Sequence, residues 1–214
     1  MKTLFLALAV LLVGTALARA DDTRLDLSHV ERVEISGDAA SVRLTARPGG
    51  PFQARLVERR SGWLEGAVLR VEARTPSMFE ASDCVVELTA DLPPDVSVRI
   101  DLAAVQARLD GAFAAFDTQA RAGDISVVGT VERVDLRGAA LRAQLDLGEA
   151  APPAPRAVNL AVGSLDAEVT LPARATVGWQ VDAKAALVDT ARANDRDGAT
   201  QIRVSADFLR LSIH

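Results

Sequence analysis

Apolar and polar residues alternate along nearly the whole chain after residue 30, and this pattern limits the fold more than any other feature. The segments 42–46 (VRLTA), 98–102 (VRIDL) and 165–171 (LDAEVTL) place every second side chain on one face. A period of two residues is that of a β-strand with one buried and one solvated face. Even the Ala- and Leu-rich segment 139–147 spaces its leucines as a strand does. The sequence therefore predicts an all-β protein.

Two sets of apolar residues recur every 18 positions, which indicates stacked repeats. The two sets are Val98, Phe116 and Val134, and Leu109, Val127 and Leu145. A short strand-turn-strand unit cannot bury its apolar face alone, whereas stacked units share one core and pair their backbones. This favours a single-stranded right-handed parallel β-helix, also called a β-solenoid. A β-sandwich of hairpin-linked strands is the alternative, and the turn dipeptides Asp110-Gly111 and Asp197-Gly198 are what supports it.

The N-terminus has the features of a secretory signal peptide. Lys2 precedes an apolar run from Leu4 to Val13, and Ala18-Arg19-Ala20 forms a small-x-small cleavage site. The run is too short for a membrane-spanning helix, which needs roughly 20 apolar residues. No cysteine follows it, so a lipid anchor is not expected. Cleavage after Ala20 would deliver the chain to the periplasm or to the extracellular space.

The same patterns divide the chain into four parts. These are the signal peptide (1–20), an irregular N-terminal β region (21–92), the repetitive part (93–190) and one or two closing strands (191–214). The prolines of segment 149–155 predict a loop that protrudes from the repeats. We expect the irregular strands and the C-terminal strand to cap the two ends, because open strand edges favour unwanted pairing.

The charge of the exported chain disfavours two classes of partner. Of 24 basic residues, Lys2 and Arg19 would leave with the signal peptide, so 22 face 29 acidic residues and the net charge is −7. An acidic protein lacks the electrostatic attraction that draws proteins to nucleic acid or to anionic lipid. We therefore expect neither nucleic acid nor stable membrane insertion.

The residues of the common catalytic and metal sites are scarce. The two histidines, His29 and His214, lie near the ends of the exported chain, where mobile positions are expected. Cys84 is the single cysteine and lies in phase with an apolar strand face, which predicts a buried small hydrophobe and excludes an intramolecular disulfide. The chain contains no phosphate-binding loop and no dinucleotide fingerprint. The sequence predicts no catalytic, cofactor-binding or metal-binding residue.

Acidic and aromatic residues leave two alternatives open. Asp117 and Asp135 share the 18-residue period and could lie on adjacent repeats. Such acids could form a calcium site or a glycosidase pair, but a solvated face with arginine counter-charges is favoured. Trp63 and Trp179 are predicted to be packing residues. For Trp63, in the segment Ser61-Gly62-Trp63-Leu64, an exposed sugar-stacking role is the alternative.

Several short motifs resemble one group of exported bacterial proteins. They are the opening VERVEISG, the GDISVVG segment, the successive short strands that end in glycine, and the Leu-Pro echo at Leu92-Pro93 and Leu171-Pro172. The chain resembles the adhesin-like families that include the head GIN domain and related domains of unknown function. The resemblance implies a β-solenoid on the bacterial envelope. It carries over no catalytic residue, because these families have no agreed activity.

The sequence thus predicts an exported, non-enzymatic envelope protein that acts as an adhesin-like binding or scaffolding module. Its expected partner is an envelope polysaccharide or protein, with no cofactor. The alternative is a β-helix carbohydrate-active enzyme that uses a pair of aspartates. Self-association by end-to-end stacking is a third hypothesis.

Overall fold

The computed structural model describes residues 25–57, 62–74, 86–148 and 156–214. Every element in these ranges is a strand, which confirms the all-β prediction. The ten strands are β1 (Leu25–Asp26), β2 (Arg32–Ala46), β3 (Gln53–Val57), β4 (Gly62–Glu65), β5 (Val68–Ala73), β6 (Val86–Leu92), β7 (Val96–Leu147), β8 (Arg156–Thr170), β9 (Val177–Thr190) and β10 (Thr200–Ile213). None of the described residues forms a helix that could cross a membrane. The predictions for the signal peptide, Cys84 and the loop 149–155 concern residues outside these ranges.

The long strands pair in parallel within one open sheet. Its order is β1-β3-β6-β2-β7-β8-β10-β9, with β5 on β2 and β4 on β5. Ile35 of β2 lies opposite Ile100 of β7, and Leu136 of β7 lies opposite Leu160 of β8. Antiparallel pairs involve only the short strands β1, β3 and β4 with their neighbours. A sandwich of hairpin-linked strands would make antiparallel pairs between its long strands, so the sandwich alternative does not fit this pairing.

Some residues of β7 that lie 18 positions apart in the sequence are close to each other in space. Its residues 97–111 pair with β2, and its residues 133–146 pair with β8. Between these two parts, Gly129 lies against the backbone of Gly111, 18 residues earlier, and Gly111 lies against Ala46. The Gly148 amide donates to the Gly129 carbonyl at 2.7 Å. All six residues of the two 18-residue sets are buried.

One continuous core lies on the inner face of the sheet, because the alternating pattern places an aliphatic side chain at nearly every inward position. The burial of β8 alternates with the sequence, so that Val158, Leu160 and Val162 are inside. Phe113 and Phe116 are the largest fully buried side chains. Thr118 is an exception to the apolar composition: its hydroxyl is fully buried and makes no hydrogen bond.

Arg156 is the buried cation at the start of β8. It donates hydrogen bonds to the carbonyl oxygens of Leu147 and Gly148, where β7 ends. Burial lowers the pKa of its guanidinium from the ordinary arginine value, because a low-dielectric environment disfavours the charged form. The arginine closes the end of β7 by satisfying carbonyl groups that the next strand does not reach.

The prediction that the C-terminal strand caps the sheet is wrong. β10 lies between β8 and β9 and pairs with both in parallel, so β9, which precedes it in the chain, forms the edge. Ile202, Val204 and Leu209 of β10 are buried on both sides. In the second half of the strands, Leu209, Leu211 and Ile213 of β10 match the smaller Ala186, Val188 and Thr190 of β9. Burying β10 rather than β9 there removes more apolar surface from water.

Arg192 holds this non-sequential arrangement together. It lies in the connection from β9 to β10 and donates to three carbonyl oxygens in the connection from β8 to β9. The acceptors are Leu171 at 2.8 Å, Pro172 at 3.0 Å and Ala175 at 3.1 Å. One guanidinium therefore joins the two connections that lead to and from the edge strand.

Candidate functional site

The hairpin of β4 and β5 places Trp63 on the outer face of the sheet. Trp63 lies directly opposite Arg70 across this antiparallel pair and is 41% exposed. β5 pairs with β2, which brings Arg70 opposite Glu34, and β2 pairs with β7, which brings Glu34 opposite Arg99. Four strands thus set Trp63, Arg70, Glu34 and Arg99 in one row, which we call the Trp63 row.

A groove of about 240 Å³ runs along the Trp63 row. Its polar lining residues are Glu34, Ser36, Arg70, Glu72, Arg99 and Asp101. Ile35 and Val71, which form its floor with the backbone of β2 and β5, are buried in the core. The floor is therefore rigid, while Trp63 and the charged side chains are accessible from solvent.

Ion pairs orient the charged groups near the tryptophan. Arg70 lies between two carboxylates, with Nη1 2.8 Å from Glu34 and Nε 2.7 Å from Glu65. Glu72 pairs with Arg74 at 2.9 Å. These are exposed pairs, which stabilise the fold by less than about 1 kcal/mol each. Their main effect is to orient the side chain of Arg70, the residue opposite Trp63 in the strand pair.

Arg99 and Asp101 differ from their neighbours in the groove. Both are exposed, and neither forms an ion pair or side-chain hydrogen bond with any residue in the four described ranges. A guanidinium offers five donors and a carboxylate offers two acceptors. The groove thus combines an aromatic face with one donor group and one acceptor group that a ligand could engage without breaking an existing contact.

The two aspartates with the 18-residue spacing lie on the same outer face and meet at one arginine. Arg137 Nη1 lies 3.3 Å from Asp117, and Arg137 Nη2 lies 3.9 Å from Asp135. Asp135 is only 8% exposed and also contacts Arg133 at 3.2 Å and the Asn159 amide, which donates at 2.8 Å. Asp117 and Asp135 are therefore close to the same guanidinium. Their arginine partners agree with the interpretation of a solvated face on which arginines balance the acids.

The two histidines and Trp179 lie outside both the Trp63 row and the cluster of Asp117, Asp135 and Arg137. His29 is exposed near β1. The backbone of His214 is not loose, because its amide donates to Val169 and its carbonyl accepts from Leu171, both at 2.9 Å. No group of three His, Cys, Asp or Glu residues that could hold a metal ion is found among the residues described. Trp179 is half-buried against the core, as predicted for a packing residue.

Comparisons with known proteins give little further information. No family model matches the chain, and no curated protein matches it. The crystal structure of a proposed cell adhesion protein from Clostridium sporogenes ATCC 15579 is 10% identical, with a TM-score of 0.48, over 88% of this chain and 95% of that one. A TM-score below 0.5 at this identity does not establish a common fold.

Proposed function

We propose that this chain is an exported, non-enzymatic binding module of the bacterial cell envelope that recognises a polysaccharide in the Trp63 groove. In this proposal the fold is a right-handed β-solenoid whose rigid outer face carries the binding residues. The predicted signal peptide supports export, and the scarcity of catalytic residue types supports a binding role.

The parallel pairing supports the solenoid. A parallel neighbour requires the chain to return to its starting side before each new strand. Here one continuous chain segment, β7, pairs with β2 at its beginning and with β8 at its end, and it stacks Gly129 on Gly111 between them. A coil of about 18 residues that winds upon itself accounts for all three contacts.

The observation that carries the polysaccharide proposal is one groove lined by the exposed Trp63 on β4 and, three strands away on β7, by Arg99 and Asp101. An indole offers a large apolar face with a polar edge, and the C–H face of a sugar ring packs against such a surface. Sugar hydroxyls both donate and accept hydrogen bonds, which matches a guanidinium and a carboxylate that have no partner among the described residues. A shallow groove with these groups suits one or two sugar units of a longer chain.

The enzymatic alternative has weaker support. A glycosidase needs one carboxylic acid that donates a proton and one carboxylate that is free to act as a nucleophile or base. Asp117 and Asp135 both contact Arg137, and Asp135 is nearly buried by Arg133 and Asn159. Neither carboxylate is available to a substrate unless these contacts break.

The experiment that tests the proposal is retention of the chain from Asp21 to His214 on separated envelope fractions. The fractions are peptidoglycan, outer-membrane vesicles and extracellular polysaccharide, and the supernatants are assayed for released reducing sugar. Saturable retention on a glycan fraction without sugar release is the expected result. Release of reducing sugar would replace the binding role with hydrolysis. Retention only on protein-containing vesicles, or no retention, would contradict a polysaccharide ligand.

A further inference from the structure

The end of the sheet formed by β9 leaves the last layer of the core uncovered. Inward positions of β9 lie in register with inward positions of β10, so Val188 lies opposite Leu211. Leu211 is fully buried, whereas Val188 is 37% exposed. Ala186, the inward neighbour of Val188, is exposed as well. Among the described residues, β9 pairs with β10 alone. A strand on the outer side of β9 would complete both the core layer and the backbone pairing.

The free part of this edge is limited to the middle and end of β9. Asn194 donates to the Trp179 carbonyl and accepts from the Trp179 amide, both at 3.0 Å, and Asp195 donates to the Val177 carbonyl at 2.9 Å. The backbone amide and carbonyl of Trp179 therefore point to the outer edge of β9. Alternate residues of a strand direct these groups to the same side, so the amides and carbonyls of Val181 and Ala183 also point to the outer edge. The segment 181–188 is therefore the free edge.

The opposite end of the sheet is closed. Leu27 and Val30, in the connection from β1 to β2, are buried over the core. The Leu27 amide donates to Phe52 at 2.8 Å, and the Glu31 amide donates to Ala67 at 2.9 Å, so this connection is tied to the neighbouring strands. Among the described residues, β1 and β4 also have one unpaired side, but they are only 2 and 4 residues long, so β9 is the one long free edge. Association between free edges must be isologous and closes at two copies rather than growing into a fibre.

The free edge is complementary to itself in one register. Its inward residues are Val181 and Ala183 before the corner of β9, and Ala186 and Val188 after it. An antiparallel copy centred between Lys184 and Ala185 sets Ala183 against Ala186 and Val181 against Val188. A shift by two residues would set an inward position against an outward one at the corner.

The same register brings no two like-charged side chains opposite each other. It places Asp182 opposite Leu187 of the second copy, and no carboxylate of segment 181–188 faces another carboxylate. Four residue pairs that each exchange two backbone bonds give about 8 hydrogen bonds. Protein interfaces carry about 10 direct hydrogen bonds, so the edge would supply a comparable number.

We infer that segment 181–188 is a dimer interface, in which a second copy of this chain adds its own β9 in antiparallel orientation. The contact covers the last core layer of both molecules and leaves the Trp63 groove of each copy at the far end. A dimer would then present two binding grooves that point away from each other. This inference does not depend on the ligand of the groove.

The first test compares Val188→Lys with Val128→Lys, because both valines are exposed to nearly the same extent, 37% and 38%. Molar mass is measured by light scattering over a range of concentrations, and folding is checked by circular dichroism. The parent chain and Val128→Lys should be dimers, while Val188→Lys should be a folded monomer, because a lysine charge in the apolar layer opposes closure. A monomeric parent chain, a series of larger assemblies, or equal masses for the two folded variants would overturn the inference.

The second test examines the register and does not require the lysine variant to fold. In a Cys84→Ser background, Asp182→Cys and Leu187→Cys are prepared separately and then mixed under mild oxidation. The antiparallel register brings residue 182 of one copy opposite residue 187 of the other, at a distance that a disulfide can span. The mixture should give a disulfide-linked dimer, and each variant alone should remain largely unlinked. Equal cross-linking of the separate variants would overturn the register.

Discussion

Arg137 Nη1 lies 3.3 Å from Asp117 Oδ1, and the two residues are 20 positions apart in the chain. The same guanidinium also contacts Asp135, which lies 18 positions after Asp117 and two before Arg137. One guanidinium therefore links side chains that lie 20 positions apart in β7. These acids act as part of the fold, and we expect their removal to change stability rather than ligand binding.

Asp135→Ala should lower the free energy of unfolding by about 1–3 kcal/mol, because it removes the charged acceptor of the half-buried Asn159 amide and the partner of Arg133 and Arg137. Asp117→Ala is the matched variant: its carboxylate is more exposed and has one ion pair, so its loss should cost less than about 1 kcal/mol. Urea denaturation of both proteins measures the difference. Loss of glycan retention by folded Asp117→Ala would contradict the structural role of these acids and would revive the enzymatic alternative.

Gly129→Ala should destabilise the fold by roughly 3 kcal/mol. Gly129 has a φ of +130°, and a Cβ there would collide with the Gly111 carbonyl oxygen. Gly50→Ala is the control, because a Cβ at Gly50 meets only the Phe52 ring at 3.7 Å. Thermal unfolding should separate the two variants clearly. Equal melting temperatures would mean that β7 does not stack on itself at this glycine.

Thr118→Val should stabilise the protein by about 1 kcal/mol. The Thr118 hydroxyl is buried without a hydrogen bond, and an unsatisfied buried polar group carries a desolvation cost that an apolar group of the same shape avoids. Thr89→Val, at an exposed position of β6, should change stability by less than about 0.5 kcal/mol. Chemical denaturation of the two variants gives the comparison, and a destabilised Thr118→Val would show that the hydroxyl has a partner in solution.

Arg192→Ala should lower stability by about 2 kcal/mol, since hydrogen bonds from a charged donor are stronger than neutral ones. Arg196→Ala is the control in the same connection: the exposed Arg196 side chain forms no hydrogen bond or ion pair with the described residues, and its loss should have little effect. In hydrogen-exchange measurements on Arg192→Ala, the backbone amides of β9 should lose protection before those of β8. Uniform exchange in both strands would argue against a local role for Arg192.

Much of the fold could be predicted because it depends on local pattern. The alternation of 42–46 and 98–102 determined that these segments are strands, and the 18-residue interval anticipated the contact of Gly129 with Gly111. The position of β10 could not be predicted in this way. β9 and β10 alternate alike, and either could follow β8; the choice depends on which side chains fill the core layer better.

The Trp63 groove was only partly visible in the sequence. Trp63 was recognised as a possible exposed aromatic residue from its glycine flank. The strand β4 that carries it is four residues long and lacks alternation, so it was not predicted. Arg70, Glu34 and Arg99 meet Trp63 through three strand registers, which connect distant parts of the chain and leave no local signal.

The central claim is that Trp63 contacts a polysaccharide, and tryptophan fluorescence during titration with solubilised envelope glycan tests it most directly. The chain has two tryptophans, and Trp179 is half-buried away from the groove, so a ligand should shift the emission of Trp63 alone. We predict a saturable shift for the parent chain and for Leu64→Ala, an exposed neighbour on the same strand. Because Trp63→Ala removes the fluorescent reporter, its affinity is measured by titration calorimetry alongside the parent chain, and it should be at least tenfold weaker, equivalent to about 1.4 kcal/mol. Unchanged glycan affinity in folded Trp63→Ala would contradict the account.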